Sequence, residues 1–298
     1  MPHKHPKYLQ HILLGATAFI FAGAQFISPR SGDSATASAS PVSIMPGIAE
    51  AAALTDVRRS TGFITEAAKG TSSLAVKTET ALAALAPSVH TMSHPSALAN
   101  AFNSYFAYKA EHPDQVRKPY LYFVDYGLPS TNPRGYVFDM DRLVIVDGPF
   151  TVAHGRGSAT PSETVPTRFS NVHGSNATSL GLYLAQETYN FSGKASGKRY
   201  TSVGLRLKGL SKGFNDNART RGVVAHGAPY VSATRAGRSE GCPAVTQERA
   251  RTLMPKLSNG GMVFLFAPDT RWMAADPWLE TAKMLAANEA PVAARRAN

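Results

Sequence analysis

A single cysteine occurs in the 298-residue chain: Cys242, inside Gly-Arg-Ser-Glu-Gly-Cys-Pro-Ala-Val from Gly237 to Val245. A free thiol is ionised to roughly a few per cent at neutral pH, so a nucleophilic cysteine needs a base or positive surroundings. Both lie near in the sequence. His226 ends the apolar run that starts at Val223, where it is a candidate general base. Arg235 and Arg238 add positive charge. Gly241 has no Cβ and lets a carbonyl approach the backbone, so the amides of Gly241 and Cys242 are candidates for an oxyanion hole. Pro243 biases Cys242 away from helical angles. A helix opening at Pro243 would favour the thiolate, although Thr246 competes as the N-cap. The competing reading of a lone cysteine is a small core filler.

Other residues belong to the same inventory. His154 and His173 are each followed by glycine, and each reads equally as a loop residue or as part of a substrate cleft. Tyr183 sits in an apolar strand and reads as core or as a cleft wall. The histidines and Cys242 match no compact zinc-ligand spacing, so no metal and no cofactor is expected. Gly155-Arg156-Gly157-Ser158 lacks the Gly-Lys-Thr ending of a phosphate loop.

Strand signals must position these groups. Tyr120–Tyr126 is aromatic and β-branched, and 134–155 reads as two strands joined at Asp139-Met140-Asp141. Further strands are expected over 180–189, 200–210, 221–227 and 261–268. Three helices accompany them. One follows Ser96, with Leu98, Phe102, Tyr105 and Phe106 on one face; one begins at Thr246; the third has Asp276 as N-cap and Pro277 at its first position. Many short strands with few helices indicate a mainly β domain, a sandwich or barrel-like fold with peripheral helices, over 98–270. A C-terminal helix and a disordered tail are expected over 271–298.

The N-terminal quarter is different. Lys4 and Lys7 precede an uncharged apolar run from Ile12 to Ala24, the pattern of a signal peptide over 1–24. The alternative is an uncleaved anchor to Ile27, which is short beside the roughly 20 residues a span needs. In that case alone would the protein touch the membrane. Residues 25–97 are rich in Ala, Ser and Thr and read as a linker or stalk with transient helices, for which 48–54 and 77–86 are the amphipathic candidates. Lys plus Arg total 31 against 20 for Asp plus Glu, a balance that suits an anionic partner. No run of basic residues with interleaved aromatics occurs, so nucleic acid is not the expected partner. Oligomeric state is not legible.

His226-Gly227, followed after Arg238 by Ser239-Glu240-Gly241-Cys242, resembles the YkuD-type L,D-transpeptidases, whose signature is His-Gly and then Ser-x-Gly-Cys. The stretches 120–158 and 209–219 resemble the divergent murein L,D-transpeptidase branch. The resemblance implies an exported, periplasmic or cell-envelope enzyme that acts on peptidoglycan stem peptides. Cys242 would attack the L,D bond before a terminal D-Ala, and His226 would move the proton. The thioester would pass to the amine of a second stem, joining two diaminopimelate residues. The resemblance also implies a third group that orients the histidine through a backbone carbonyl, for which Ser239 is carried as the candidate. Gly227, Arg235, Arg238, His154 and Tyr183 are carried as substrate-cleft candidates. Pro243-Ala244 departs from the Arg or Asn of the better-known branch, which leaves open how a substrate carboxylate is held. Water in place of the amine would make the same pair an L,D-carboxypeptidase or amidase; without catalysis the domain would be a wall-binding module.

Overall fold

The computed structural model describes residues 73–280. The expected export segment, most of the expected linker and the C-terminal tail lie outside the described residues. No helix among the described residues is long and apolar enough to cross a membrane.

The described residues open with a helix over 73–85 (α1), followed by Ala97–Glu111 (α2) and the strands Tyr120–Asp125 (β1), Gly135–Asp139 (β2), Val144–Phe150 (β3) and His154–Gly155 (β4). A long hairpin, Gly181–Ala195 (β5) and Lys198–Gly209 (β6), leads to a short helix, Ala218–Arg221 (α3), and to Val224–Gly227 (β7). Arg238–Ser239 (β8), Ala244–Val245 (β9), Gln247–Leu257 (α4), Met262–Phe266 (β10) and Thr270–Ala275 (α5) follow. The strands form one eight-stranded mixed sheet in the order β3-β2-β1-β10-β5-β6-β7-β9, and β4 pairs with β8 beside it. The fold is mainly β with a few helices, as the strand signals require. The sheet is open rather than closed into a barrel, since β3 and β9 are its two ends among the described residues.

The centre of the sheet is dry. β2 and β10 are buried along their whole length, as is β1 after Tyr120, so both faces are covered and the sequences are continuous apolar runs rather than alternating ones. Phe102 of α2 meets Phe138 of β2 edge-on at 5.3 Å, and Trp272 of α5 closes on Phe264 and Phe266 at 5.9 and 5.7 Å. Sequence periodicity misses α5, because its six residues carry only one buried side chain, Trp272. The helices at Thr246 and Asp276 obey their caps: Thr246 Oγ1 accepts from the Arg249 amide, and Asp276 accepts from the Trp278 amide at 2.9 Å.

Burial extends past both expected domain boundaries. Ala81 and Leu85 of α1 belong to the main core, and the Asp125 carboxylate accepts from Ser93 N and Ser93 Oγ at 2.7 and 2.6 Å. Residues 73–97, whose composition suggests a linker, are therefore part of the packed unit. Ala81 and Leu85 are buried on one side of α1, and Thr78 meets Asn103 of α2 at 3.5 Å, a packing that alanine-rich composition alone reads as low complexity. At the other end Trp272 donates to Asp276 at 2.7 Å and Trp278 to the Leu210 carbonyl at 3.0 Å.

Arg134 lies at the heart of one end of the fold with no exposure at all. It donates to the carbonyls of Leu128 and Val152 and to Nδ1 of His154, and stacks over the Tyr126 ring at 4.8 Å. A guanidinium only donates, so His154 must accept at Nδ1 and carry its proton on Nε2, which has no hydrogen-bond partner. Burial, then the charges of Arg134 and Arg238, push the His154 pKa down to about 3. In the unfolded chain this histidine takes a proton near 6.5. The unfolded state thus binds more protons below that pH, and stability falls as pH drops from 6.5 towards 3. His154→Asn keeps an acceptor for Arg134 and removes the titration. Its melting temperature should fall less between pH 7 and pH 4.5 than that of the wild type; equal losses in the two proteins would refute this assignment.

Candidate functional site

Two residues of parallel pairing bring the candidate nucleophile and base together. His226 on β7 stands opposite Ala244 on β9, and Gly227 opposite Val245, with the His226 amide donating to the Pro243 carbonyl at 3.3 Å. Cys242 lies two positions before Ala244, so the register brings it level with Val224, two residues short of His226, although a long loop separates the two stretches in sequence. Cys242 and His226 both line a cleft of about 710 Å³.

The turn that carries Cys242 is built from its own polar atoms. Ser239 Oγ donates to the Cys242 carbonyl at 2.7 Å and accepts from the Gly241 amide at 3.2 Å. Gly241 has φ +115°, a conformation L side chains rarely adopt. Behind it β4 packs so closely that a Cβ on Gly155 would stand 2.8 Å from the Gly241 Cα. Ser239 therefore shapes the nucleophile turn instead of orienting the histidine. The Gly241 amide is committed to that hydroxyl, which leaves the Cys242 amide of the expected oxyanion pair. No helix begins at Pro243: β9 intervenes, and α4 is capped by Thr246.

The carbonyl that orients His226 is that of Gly227, 3.0 Å from Nδ1. With Nδ1 donating there, Nε2 is left as the acceptor. On its face the ring stacks against Phe191 of β5, with centroids 4.0 Å apart and planes at 17°. Phe191 is in turn gripped by Tyr189 and Tyr200 at 6.3 and 6.0 Å. His226 is only 3% exposed, and burial pushes its pKa down to about 4, with the bond to Gly227 opposing.

The segment just before β7 wraps the sulfur. The thiol faces the Gly222 carbonyl at 4.0 Å, and Gly222 ends α3 in the left-handed region. Arg221 is the cation that acts on the thiol, joined there by the Val224 amide. Its guanidinium is held by the carbonyls of Ser170 and Ala177 at 2.7 and 2.8 Å and by Ser175 Oγ at 3.2 Å. Sequence proximity pointed to Arg235 and Arg238 instead. Arg238 lines the cleft but donates to the carbonyls of Ala159, Pro161 and Glu163. Arg235 is exposed and outside the cleft lining. The signal for Arg221 was its place five residues before His226, ahead of the strand that presents the base.

Three other candidates lie outside the cleft lining. His154 is buried on Arg134; Tyr183 is buried with its hydroxyl on Ser179; Gly227 is buried and contributes its carbonyl. An apolar strand such as Tyr183's has no face that sequence can label as cleft rather than core. His173 does line the cleft. Among the described residues no three His, Cys, Asp or Glu side chains gather as metal ligands.

Although Cys242 is only partly buried by exposed area, loss of solvent around the sulfur pushes the thiol up to about 11, against the Val224 amide and Arg221, and Glu240 pushes the same way. The expectation of a thiol depressed by nearby arginines is thus reversed. At rest the pair is a neutral thiol beside a neutral imidazole, and charge must appear during reaction rather than before it. Because Cys242 is the chain's only thiol, alkylation reports on it alone. Its rate with iodoacetamide should climb steadily from pH 7 to pH 10; a plateau reached below pH 8 would mean a preformed ion pair and refute the neutral resting state.

A family model described as the L,D-transpeptidase catalytic domain matches residues 90–266. Among curated proteins no sequence matches the chain. Similar solved structures include an L,D-transpeptidase from Mycobacterium smegmatis, at 17% identity and TM-score 0.31, covering 50% of this chain and 59% of that one. An L,D-transpeptidase from Mycobacterium tuberculosis H37Rv is 16% identical with TM-score 0.30, covering 50% and 57%. Bdellovibrio bacteriovorus Bd1075 is 13% identical with TM-score 0.31, covering 57% and 55%. The chain thus spans less than two thirds of the length of each.

Proposed function

The chain belongs to the L,D-transpeptidase catalytic domain family, and we propose that it transfers acyl groups between peptidoglycan stem peptides through a thioester on Cys242. The observation that carries this reading is the meeting, in one cleft, of the only cysteine with a histidine whose Nδ1 is tied to a backbone carbonyl.

The steps follow from the neutral pair. As the Cys242 sulfur attacks the carbonyl of the L,D bond, its proton passes to His226 Nε2. The Cys242 amide donates to the oxyanion, and Arg221 offsets charge developing near the sulfur. The C–N bond breaks, the imidazolium returns the proton to the departing D-Ala amine, and a thioester remains. An incoming amine attacks that thioester while His226 Nε2 takes its proton. The C–S bond breaks, and the thiolate recovers the proton. Gly227 holds the imidazole in the tautomer both steps need, and the Phe191 face holds its plane. Arg156, Lys194, Arg199, Arg221 and Arg238 line the cleft against the single carboxylate of Glu240, a field that favours anionic stem peptides. Such a substrate lies outside the cytoplasm, in keeping with the export signal expected over 1–24.

Incubation with tetrapeptide stems should release D-Ala and give a mass adduct on Cys242, with cross-linked dimers as product. Cys242→Ala should abolish the adduct, and His226→Ala should lower turnover by about 10²–10⁴-fold, the usual loss of a general base. A wild-type protein that forms no adduct would overturn the reading; tripeptide without dimer would make water the acceptor.

A further inference from the structure

In the proposed reaction His226 becomes a cation in each half, yet the fold pairs no anion with it. The residue is 3% exposed, and its Nδ1 bonds a neutral carbonyl, that of Gly227, at 3.0 Å. Opposite it in register stand Gly204 on β6 and Ala244 on β9, neither with a polar side chain. Among the described residues no carboxylate forms an ion pair with it, and the charges of Arg221 and Glu240 act on the sulfur. The thiolate is a counter-ion only until the sulfur bonds to carbon. From then on a buried imidazolium stands alone, which is costly.

What faces the imidazole is π density. Phe191 lies parallel to it, with centroids 4.0 Å apart and planes at 17°. The two side chains come from strands that are not neighbours, because β6 runs between β5 and β7. The register explains how they meet. Gly204 of β6 is opposite Tyr189 on one side and His226 on the other, so all three share a face, and Phe191, two residues past Tyr189, shares it too. A Cβ on Gly204 would stand 2.6 Å from Tyr189 Cε1 and 3.1 Å from Phe191 Cβ. A Cβ on Gly193 would stand 2.8 Å from Phe191 Cε1. Two glycines thus clear the space the ring fills, and Tyr189 and Tyr200 hold it from the sides at 6.3 and 6.0 Å.

We infer that Phe191 is a positioning residue for the charged form of the base: its π face stabilises the His226 imidazolium while the proton sits on Nε2. The face of an aromatic ring is the negative part of its quadrupole and attracts a cation, most strongly where water is excluded. A neutral imidazole gains only stacking from the same contact, so the stabilisation grows as the proton arrives. A carboxylate in this place would also make the resting imidazole more basic and draw a charged pair forward. The weaker quadrupole leaves the resting pair neutral and acts on the charge that appears during reaction. The inference rests on the acyl-transfer reading given above.

Fluorination weakens the ring's quadrupole in steps with little change in size. In the full chain Phe191 is replaced by mono-, di- and trifluorinated phenylalanine, and Cys242 is alkylated with iodoacetamide. At pH 6 the sulfur reacts as its proton moves to His226; at pH 10 solvent has taken that proton and the imidazole stays neutral. The pH 6 rate should fall stepwise to about one tenth with the trifluorinated ring, the scale of a desolvated cation–π contact. The pH 10 rate should not change. With tetrapeptide stems kcat/KM should fall in the same steps as the pH 6 rate. A loss shared by both pH values would reduce Phe191 to packing and overturn the inference. So would a pH 6 rate blind to fluorination, or an acyl-enzyme whose kcat/KM does not follow it. A stepwise loss at pH 6 in a protein that forms no acyl-enzyme would overturn the reaction and leave the effect of Phe191 on the imidazolium standing.

Discussion

Two steps of parallel pairing between β7 and β9 are the constraint on which the rest of the candidate site depends. So short a ladder does not hold itself, and the surrounding structure compensates for its length. β9 is pinned on its other side by the Ala153 bridge, and α4, which follows at once, packs back on β6 and β7. β4 and β8 buttress the nucleophile turn from behind through the close Gly155–Gly241 contact. Arg134 secures that buttress, with its bonds on Val152 and His154 at the entry to β4. A buried cation in this position is costly to leave unpaired, which explains why nearly every acceptor around it is turned inward.

Enclosure also sets the chemistry. Loss of solvent drives the thiol up and the imidazole down, so the two groups rest neutral. Catalysis in such a site depends on dipoles aimed at charge that appears transiently. Gly222 O, the Val224 amide, Arg221 and the Gly227 carbonyl all come from the one segment 221–227, ahead of or within β7. A single run of backbone therefore presents the candidate base, orients it and lies against the sulfur, while the candidate nucleophile comes from the turn between β8 and β9. The hairpin adds the fourth wall through Phe191.

Much of this was legible. The apolar runs at β1 and β10 are uninterrupted, and those at β2 and β7 are short but end in turn signals, so these strands follow from composition. His226-Gly227 and Ser239 to Cys242 mark the reacting pair by residue type and spacing. Less legible were the roles of neighbours. Ser239 and Arg238 lie beside Cys242 in sequence and seem natural partners for it, but a tight turn folds their polar atoms onto backbone. Arg221 acts on the thiol across a sheet, and His154 carries a motif like that of His226 yet is sealed on Arg134. At 77–86 the helix was legible but its place was not: alanine-rich composition is equally that of a linker and of a helix packed into the core.

By itself the sequence singled out the candidate pair, through the His-Gly and Ser-x-Gly-Cys spacing that resembles the family's signature. It also determined a mainly β architecture, since the periodicity of side chains is a local property. Tertiary structure alone decided which carbonyl orients the base, which arginine faces the sulfur and whether the pair rests charged or neutral. Those depend on distance across strands and on exclusion of water, and neither quantity is written in the order of residues along a chain.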